Sequence, residues 1–424
     1  MREGMMLGNG WGFWVSAGGR FPPPEFTGGY RMPGLNPAPP PAAWLAWLDV
    51  AMLALALAAM IFFAHRKSSR RGILGVAVFS VFYFGFYRHG CVCSVGALQN
   101  VALAAANANY DFPWTVAAFF VLPLAAALFW GRVFCAGVCP LGALQELVLW
   151  RPVKIPAWLE RGLRLFAWAY LGLAVLLAAT GTVFVICRYD PFVLFFRLHG
   201  SFSMLMAGLA VLALAAVVGR PYCRFLCPYG VLLRICAGLA RWPLRLMDEE
   251  ECAMTRICYQ ECPYGAILRP VPEKEGGLGF GHGRLALVFA VGLAAVLVGG
   301  WLGWRAAPEL ARWHATVALA ERVALENAGK VKGTTLESRA FRQLGLPADE
   351  LLSDALRVRR QFQFGAPLMG VFVGMCLAGA FWRSLRSPPA RAVFSIDPSF
   401  CLVCARCLDA CPVLKKRRIA AIGE

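Results

Sequence analysis

Cysteine is the residue whose spacing carries chemistry in this chain. Near the C-terminus, Cys401-x2-Cys404-x2-Cys407-x3-Cys411-Pro412 has the spacing with which one loop wraps three corners of a [4Fe–4S] cubane. The Cys before Pro then reaches away to a second cluster. An earlier segment, Cys252-x2-Thr255-x2-Cys258-x3-Cys262-Pro263, is the same run with Thr255 where the second Cys should stand. In two-cluster ferredoxins the fourth Cys of each run serves the other cluster. The spacing therefore predicts a [4Fe–4S] cluster on Cys401, Cys404, Cys407 and Cys262. A second centre is expected on Cys252, Cys258 and Cys411, either [3Fe–4S] or [4Fe–4S] with a weak non-Cys ligand.

Two further pairs, Cys135-x3-Cys139-Pro140 and Cys223-x3-Cys227-Pro228, each follow an apolar stretch and precede a short helix. A Cys at a helix start is favoured as thiolate. These four thiols are expected to hold a third cluster or a metal, or to cycle as dithiols. Gly90-Cys91-Val92-Cys93 opens a related segment, and Gly96, Gly142 and Gly230 coincide when the three are aligned on their later Cys. Internal repeats in membrane proteins tend to place sites at their interface. Cys91, Cys93 and Cys187, with His89 or His199, would supply an outer centre, or else a disulfide or buried thiols. Cys236 and Cys376 read as buried thiols in apolar helices, and His65, His282 and His314 as structural or solvated. Gly333-Thr334-Thr335-Leu336-Glu337-Ser338 only faintly matches a flavin-attachment sequence, in a segment too small for such a domain.

Lipid must surround the elements that carry these thiols. The chain is 59% hydrophobic and 16% charged, against about 25% charged residues in soluble domains. Its 16 cysteines in 424 residues do not fit the disulfide scaffold of a small secreted domain. A bilayer core of roughly 30 Å needs about 20 apolar helical residues, and seven stretches approach that: 44–64, 73–88, 113–131, 163–186, 203–219, 285–303 and 366–382. The net charge of +18 lies beside these runs rather than in one stripe, which argues for membrane orientation and against nucleic acid. Arginine-rich loops follow the first, third, fifth and seventh stretches, so the positive-inside rule puts the N-terminus outside and the C-terminus in the cytoplasm. On that topology the first repeat faces the outside and the second and third the inside.

The expected fold class is an α-helical integral membrane protein of seven spans. A small cytoplasmic ferredoxin-like α+β module is assembled from two separated segments. The expected domains are an extended Pro-rich outer arm (1–43), a membrane domain with the repeated Cys motifs (44–245) and a first ferredoxin half (246–284). A span (285–303), an outer helical insertion (304–365), a span (366–382) and the second ferredoxin half (383–424) follow. No ordinary signal peptide is expected in Met5–Ala17, which is short and rich in Trp and Gly.

Paired Cys-x3-Cys-Pro motifs after membrane spans, followed by a ferredoxin module, resemble the NapH/NosR-type membrane polyferredoxins over residues 70–270 and 395–412. The resemblance implies that Cys135, Cys139, Cys223, Cys227 and the ferredoxin cysteines serve electron delivery to, or maturation of, periplasmic reductases. The chain departs from the family at Thr255, in the insertion that splits the two ferredoxin runs, and in the expected lack of a large N-terminal flavin domain. The function expected is transmembrane electron transfer from a cytoplasmic-side or quinol donor to a periplasmic redox protein or reductase. It is that of an electron-transfer component of an oxidoreductase system rather than a stand-alone catalyst, in a bacterial inner membrane. The alternative is a thiol- or cluster-dependent maturation factor handling a soft metal for a periplasmic metalloenzyme.

Overall fold

The computed structural model describes residues 43–90, 93–108, 110–150, 152–197, 201–246, 252, 254–271, 282–385 and 391–414. The expected Pro-rich arm up to residue 42, with Cys91, Arg151 and His199, lies outside the described residues.

The chain is mostly helical, as its long apolar stretches require. α1 (Ala43–Ile61) and α2 (Arg70–Ser80) each end in a π turn, and α2 starts at a Ser69 side chain that accepts from Gly72 N–H. α3 (Ser94–Ala106), α4 (Trp114–Trp130), α5 (Pro140–Val148) and α6 (Ala157–Ala179) follow. Then come α7 (Val185–Tyr189), α8 (Val193–Arg197), α9 (Phe202–Val217), α10 (Pro228–Gly238) and α11 (Ile257–Glu261). After β1 (Ile267–Leu268) run α12 (His282–Ala311), α13 (Ala315–Asn327), α14 (Leu336–Gln343) and α15 (Ala348–Leu385), and β2 (Ser395–Ile396) and α16 (Arg406–Asp409) close the described chain.

All seven stretches expected to cross the membrane are largely helical. Among the described residues, four helices have the length and apolarity to do so: Trp44–Arg66, Trp158–Ala179, Ala286–Ala311 and Ala348–Arg383. Trp114–Trp130 and Phe202–Val217 are apolar but shorter. The three helices that follow the repeat cysteines are shorter still and are wedged among the long ones. α3 packs on α4 and α6, α5 on α2 and α9, and α10 on α4 and α6.

Residues 304–365 continue the helices rather than interrupt them. Thr335 and Ser338 form a reciprocal cap at the start of α14, a structural use for the run that faintly resembled a flavin attachment. His314 likewise caps α13, its Nδ1 accepting from Thr316 N–H at 3.2 Å. The antiparallel pair α12 and α15 meets along a seam of small residues: a Cβ on Gly303 would strike the carbonyl of Ala366, and one on Gly370 that of Gly299. Within lipid, where apolar burial gives helices no reason to associate, such close backbone approach supplies the packing. Downstream, β1 pairs antiparallel with β2, Ile267 opposite Ile396, and Val271 bridges Arg391. The two ferredoxin-type segments are thus joined across more than a hundred residues of intervening chain.

Replacing Gly370 by Leu is expected to force α12 and α15 apart and destabilise the chain by at least about 1–3 kcal/mol, the usual cost of overpacking. Thermal unfolding in detergent measures this; an unchanged transition would show that the seam does not hold the pair.

Candidate metal centres

The last Cys run wraps a cavity. Cys401, Cys404 and Cys407 line it together with Cys262 from the earlier segment, and Tyr264, Leu244, Ile267 and Ile396 form part of its wall. The loop curls because Val403 and Ala405 take left-handed backbone conformations, and Val403 N–H donates to Cys401 Sγ at 3.4 Å. Burial pushes the Cys401 thiol up to about 12 and Cys404 to about 11. Each therefore keeps its proton at neutral pH until a bound cation replaces it.

The second cavity mirrors the first. Cys252, Cys258 and Cys411 line it with Met254, Thr255, Arg256 and Phe394. Met254 and Arg256 stand two and four residues after Cys252, as Val403 and Ala405 stand after Cys401, and both are left-handed. The loop form is retained although its second Cys is Thr255. Cys258 and Cys407 lie within electrostatic reach of each other, so the two cavities are neighbours. Among the described residues, no three His, Cys, Asp or Glu side chains converge closely enough to hold a single ion. Thiols that ring a cavity and accept backbone N–H bonds suit the corners of a cluster.

The Cys-x3-Cys pairs follow one template. The first Cys of each lies in a π turn, Phe134–Val138 or Tyr222–Leu226; the second caps the next helix with extended backbone, and Pro140 or Pro228 opens that helix. Pro is pre-organised for that position. Gly142 and Gly230 admit the approach of Cys135 O and Cys223 O, where a Cβ would lie 2.9 and 3.2 Å from them. All four thiols are buried. Cys139 and Cys227 each lie within electrostatic reach of both Cys135 and Cys223. Gln145 fixes this arrangement: its Oε1 accepts from Tyr222 N–H at 3.1 Å and its Nε2 donates to Cys223 Sγ at 3.4 Å.

Two buried arginines tie this group to the ferredoxin cavities. Arg132 and Arg220, each three residues before the first Cys of its pair, are 2% and 0% exposed. Arg220 donates to the carbonyls of Cys135 and Ala136 and, through Nε at 3.1 Å, to Glu146. Glu146 also accepts from Tyr264 OH and from Arg406 Nε at 3.1 Å, and Arg70 stands 3.6 Å away. One carboxylate on α5 therefore joins the repeats to both ferredoxin-type segments. Phe400, beside Cys401, is gripped between Arg164 and Arg234 at 3.8 and 5.2 Å.

Cys93 caps α3 as Cys139 caps α5. It lies within electrostatic reach of Cys187, and also of Cys139 and Cys227 in the repeats assigned to the other side. Cys91 and His199 fall outside the described residues. His65 Nε2 lies 3.1 Å from the Trp130 carbonyl, a structural contact, and His282 begins α12. Cys236 and Cys376 sit in α10 and α15. Gln145, Arg132, Arg220 and Glu146 escaped sequence reasoning. The signal for the first three was their recurrence: Gln99 and Gln145, and Arg132 and Arg220, coincide in the repeats.

Comparison with known proteins falls on the same segments. The 4Fe-4S binding domain family matches residues 112–165 and 201–246, which carry the two Cys-x3-Cys pairs. The regulatory protein NosR of Stutzerimonas stutzeri is 31% identical over 242 residues, 52% of this chain and 33% of NosR. Protein NirI of Paracoccus denitrificans is 33% identical over 153 residues, 33% of this chain and 22% of NirI. The methylamine utilization ferredoxin-type protein MauN of Methylobacillus flagellatus is 27% identical over 152 residues, 34% of this chain and 52% of MauN. The matched stretches thus span a third or less of NosR and NirI and about half of MauN. No solved structure matches. These matches support the resemblance to NapH/NosR-type membrane polyferredoxins and at least one 4Fe-4S cluster.

Glu146→Gln is expected to destabilise the chain by about 3–5 kcal/mol, because it leaves the fully buried Arg220 without its counter-charge. A fall in the thermal unfolding midpoint, with iron lost at lower temperature than in the wild type, is the outcome to look for. Gln145→Leu, similar in size, strands the buried Tyr222 N–H and should cost about 1–3 kcal/mol in the same assay.

Proposed function

We propose that the chain carries single electrons through a membrane by a series of iron–sulfur clusters, from a cytoplasmic-side or quinol donor to a periplasmic redox partner. The coarser statement, an iron–sulfur electron-transport role in a membrane protein, follows from the 4Fe-4S family match and the ferredoxin-type relatives together with the span-length helices. The finer one rests on a single observation. The cysteines of two distant segments line two adjoining cavities, and Glu146 ties those cavities to the repeat cysteines.

In this reading Cys262, Cys401, Cys404 and Cys407 hold a [4Fe–4S] cluster. Cys252, Cys258 and Cys411 hold a second, three-iron or weakly ligated, with Thr255 at the vacant ligand position. Cys135, Cys139, Cys223 and Cys227 hold a third centre, favoured by the fall of the 4Fe-4S family match on those segments. When bound, such clusters supply reversible one-electron chemistry with little change of structure. The chain's own part is to fix their order, exclude water and set their charge environment. Arg132 lies within electrostatic reach of both Cys223 and Cys401, and Arg220 of both Cys223 and Cys404. The cations between the cavities therefore favour the reduced, more negative state on either side. Seven spans, the N-terminus outside and the C-terminus in the cytoplasm complete the proposed topology, with 304–365 outside as the surface for the partner.

EPR of anaerobically purified protein, with iron and sulfide counted, tests the reading. The oxidised wild type should show a [3Fe–4S] signal that Thr255→Cys converts to a [4Fe–4S] signal seen on reduction. Folded protein with neither iron nor sulfide would end the electron-carrier reading and favour thiol-based metal handling.

A further inference from the structure

The Cys139/Cys223/Cys227 template occurs a second time in the chain. α3 begins Cys93-x2-Gly96-Ala97-Leu98-Gln99, and α5 begins Cys139-x2-Gly142-Ala143-Leu144-Gln145. Gln99 treats Cys187 as Gln145 treats Cys223. Its Oε1 accepts from the N–H of the preceding residue, Ile186, at 2.8 Å, and its Nε2 donates to Cys187 Sγ at 3.4 Å. A Cβ on Gly96 would lie 3.3 Å from Cys187 Sγ, and one on Gly142 3.6 Å from Cys223 Sγ.

The chain after Cys187 completes the parallel. Ile186-Cys187-Arg188-Tyr189-Asp190-Pro191 follows Tyr222-Cys223-Arg224-Phe225-Leu226-Cys227-Pro228 with one residue fewer, so Asp190 takes the place of Cys227. Their backbones agree: φ −72°, ψ 114° at Asp190 and φ −64°, ψ 112° at Cys227. Each also holds a local backbone donor: Asp190 Oδ1 accepts from Phe192 N–H at 2.9 Å, and Cys227 Sγ accepts from Gly230 N–H at 3.3 Å. Asp190 is 8% exposed. Cys93 lies within electrostatic reach of both Cys187 and Asp190, and Phe192 packs edge-on against Tyr222 at 5.3 Å, joining the two copies of the template.

We infer that Cys93, Cys187 and Asp190 are ligands of a further iron–sulfur cluster, with a carboxylate where the sister site has the thiolate of Cys227. The inference rests on the iron–sulfur reading above and adds the ligand that sequence spacing missed. A buried carboxylate beside two thiols has no role as a helix cap alone that Asn would not fill equally well. As a hard ligand it binds iron less firmly than thiolate, so the Asp190 corner is the most exchangeable of the three. Ligand type is one of the factors that set a cluster's potential, so two sites of common geometry would differ in potential.

The test uses the full chain, purified anaerobically in detergent, with iron and sulfide counts and an EPR-monitored redox titration. Asp190→Asn keeps an oxygen acceptor for Phe192 N–H and removes the anionic ligand. It is expected to lose one cluster's iron and its signal while the ferredoxin signals stay. Cys187→Ser should lose the same signal, and Asp190→Cys should restore it at a shifted midpoint potential. Unchanged iron, sulfide and spectra in both Asp190→Asn and Cys187→Ser would overturn the site and leave the ferredoxin reading standing. A wild type without any cluster would overturn both.

Discussion

A buried carboxylate surrounded by arginines is the constraint from which the rest of the arrangement follows. Glu146 is 3% exposed and contacts Arg220, Arg406 and Tyr264, groups that belong to the third repeat and to both ferredoxin-type segments. A buried ion is tolerated only when its partners are held in good geometry, and losing one partner strands the others. The short helix α5, the loop before Cys223 and the paired strands must therefore be in place together. The stability of the thiol-lined cavities is coupled to the membrane repeats through this charge network as well as through the apolar core they share.

The second organising element is local and repeated. A Cys at the helix cap, a small residue three positions on and, in two copies, an amide six positions on form a unit that the chain uses at α3 and α5; α10 shares the cap and the Gly. The Gly lets another backbone or sulfur approach, and the Gln satisfies a buried N–H while orienting a thiol from a different element. Three-dimensional placement of each thiol is thus set from two directions, by its own helix start and by a side chain of a neighbour. Such crossed support gives a site its precision. It also explains why the first repeat, assigned by loop charge to the opposite side, brings Cys93 within electrostatic reach of Cys139 and Cys227. Short helices entering from different ends of a bundle can meet inside it, as in inverted repeats.

Much of this was legible in the sequence because it depends on spacing. The ferredoxin runs, the paired Cys-x3-Cys motifs and the apolar stretches are periodic signals, and a helix occupies most of each apolar stretch. Thr255 and its cavity were likewise readable, since the defect is visible in the run itself. What could not be read were the contacts between distant residues that no spacing rule announces. Glu146 is one Glu in a short helix, and only its partners, 74 and 260 residues away in sequence, give it meaning. Span number was less legible than span position: the apolar runs that end at Trp130 and Val217 form shorter helices than the four of full span length, and π turns and cysteine caps take up the chain that follows.

The balance of buried charge carries the argument one step further. Arg132, Arg220, Arg224 and Arg234 are all buried, while the described carboxylates that pair with arginines in this region are Glu146 and Glu160. Among the described residues, Arg132 Nε, Arg224 Nε and Arg234 Nε are buried without a hydrogen-bond partner, and Arg132 and Arg234 form no salt bridge. Leaving a guanidinium donor unpaired in a low-dielectric interior is costly. Anionic ligands on the neighbouring thiol groups would offset part of this positive charge, beside Glu146 and Glu160. Protonated thiols carry no charge, and burial of Cys401 and Cys404 favours that form. Under the proposed ligand sets, iron-bound thiolates would carry net negative charge into the same space, against the cations that border it. On this account the arginines belong to the sites rather than to the membrane surface, and the chain's basic character is in part the counter-charge of its cofactors.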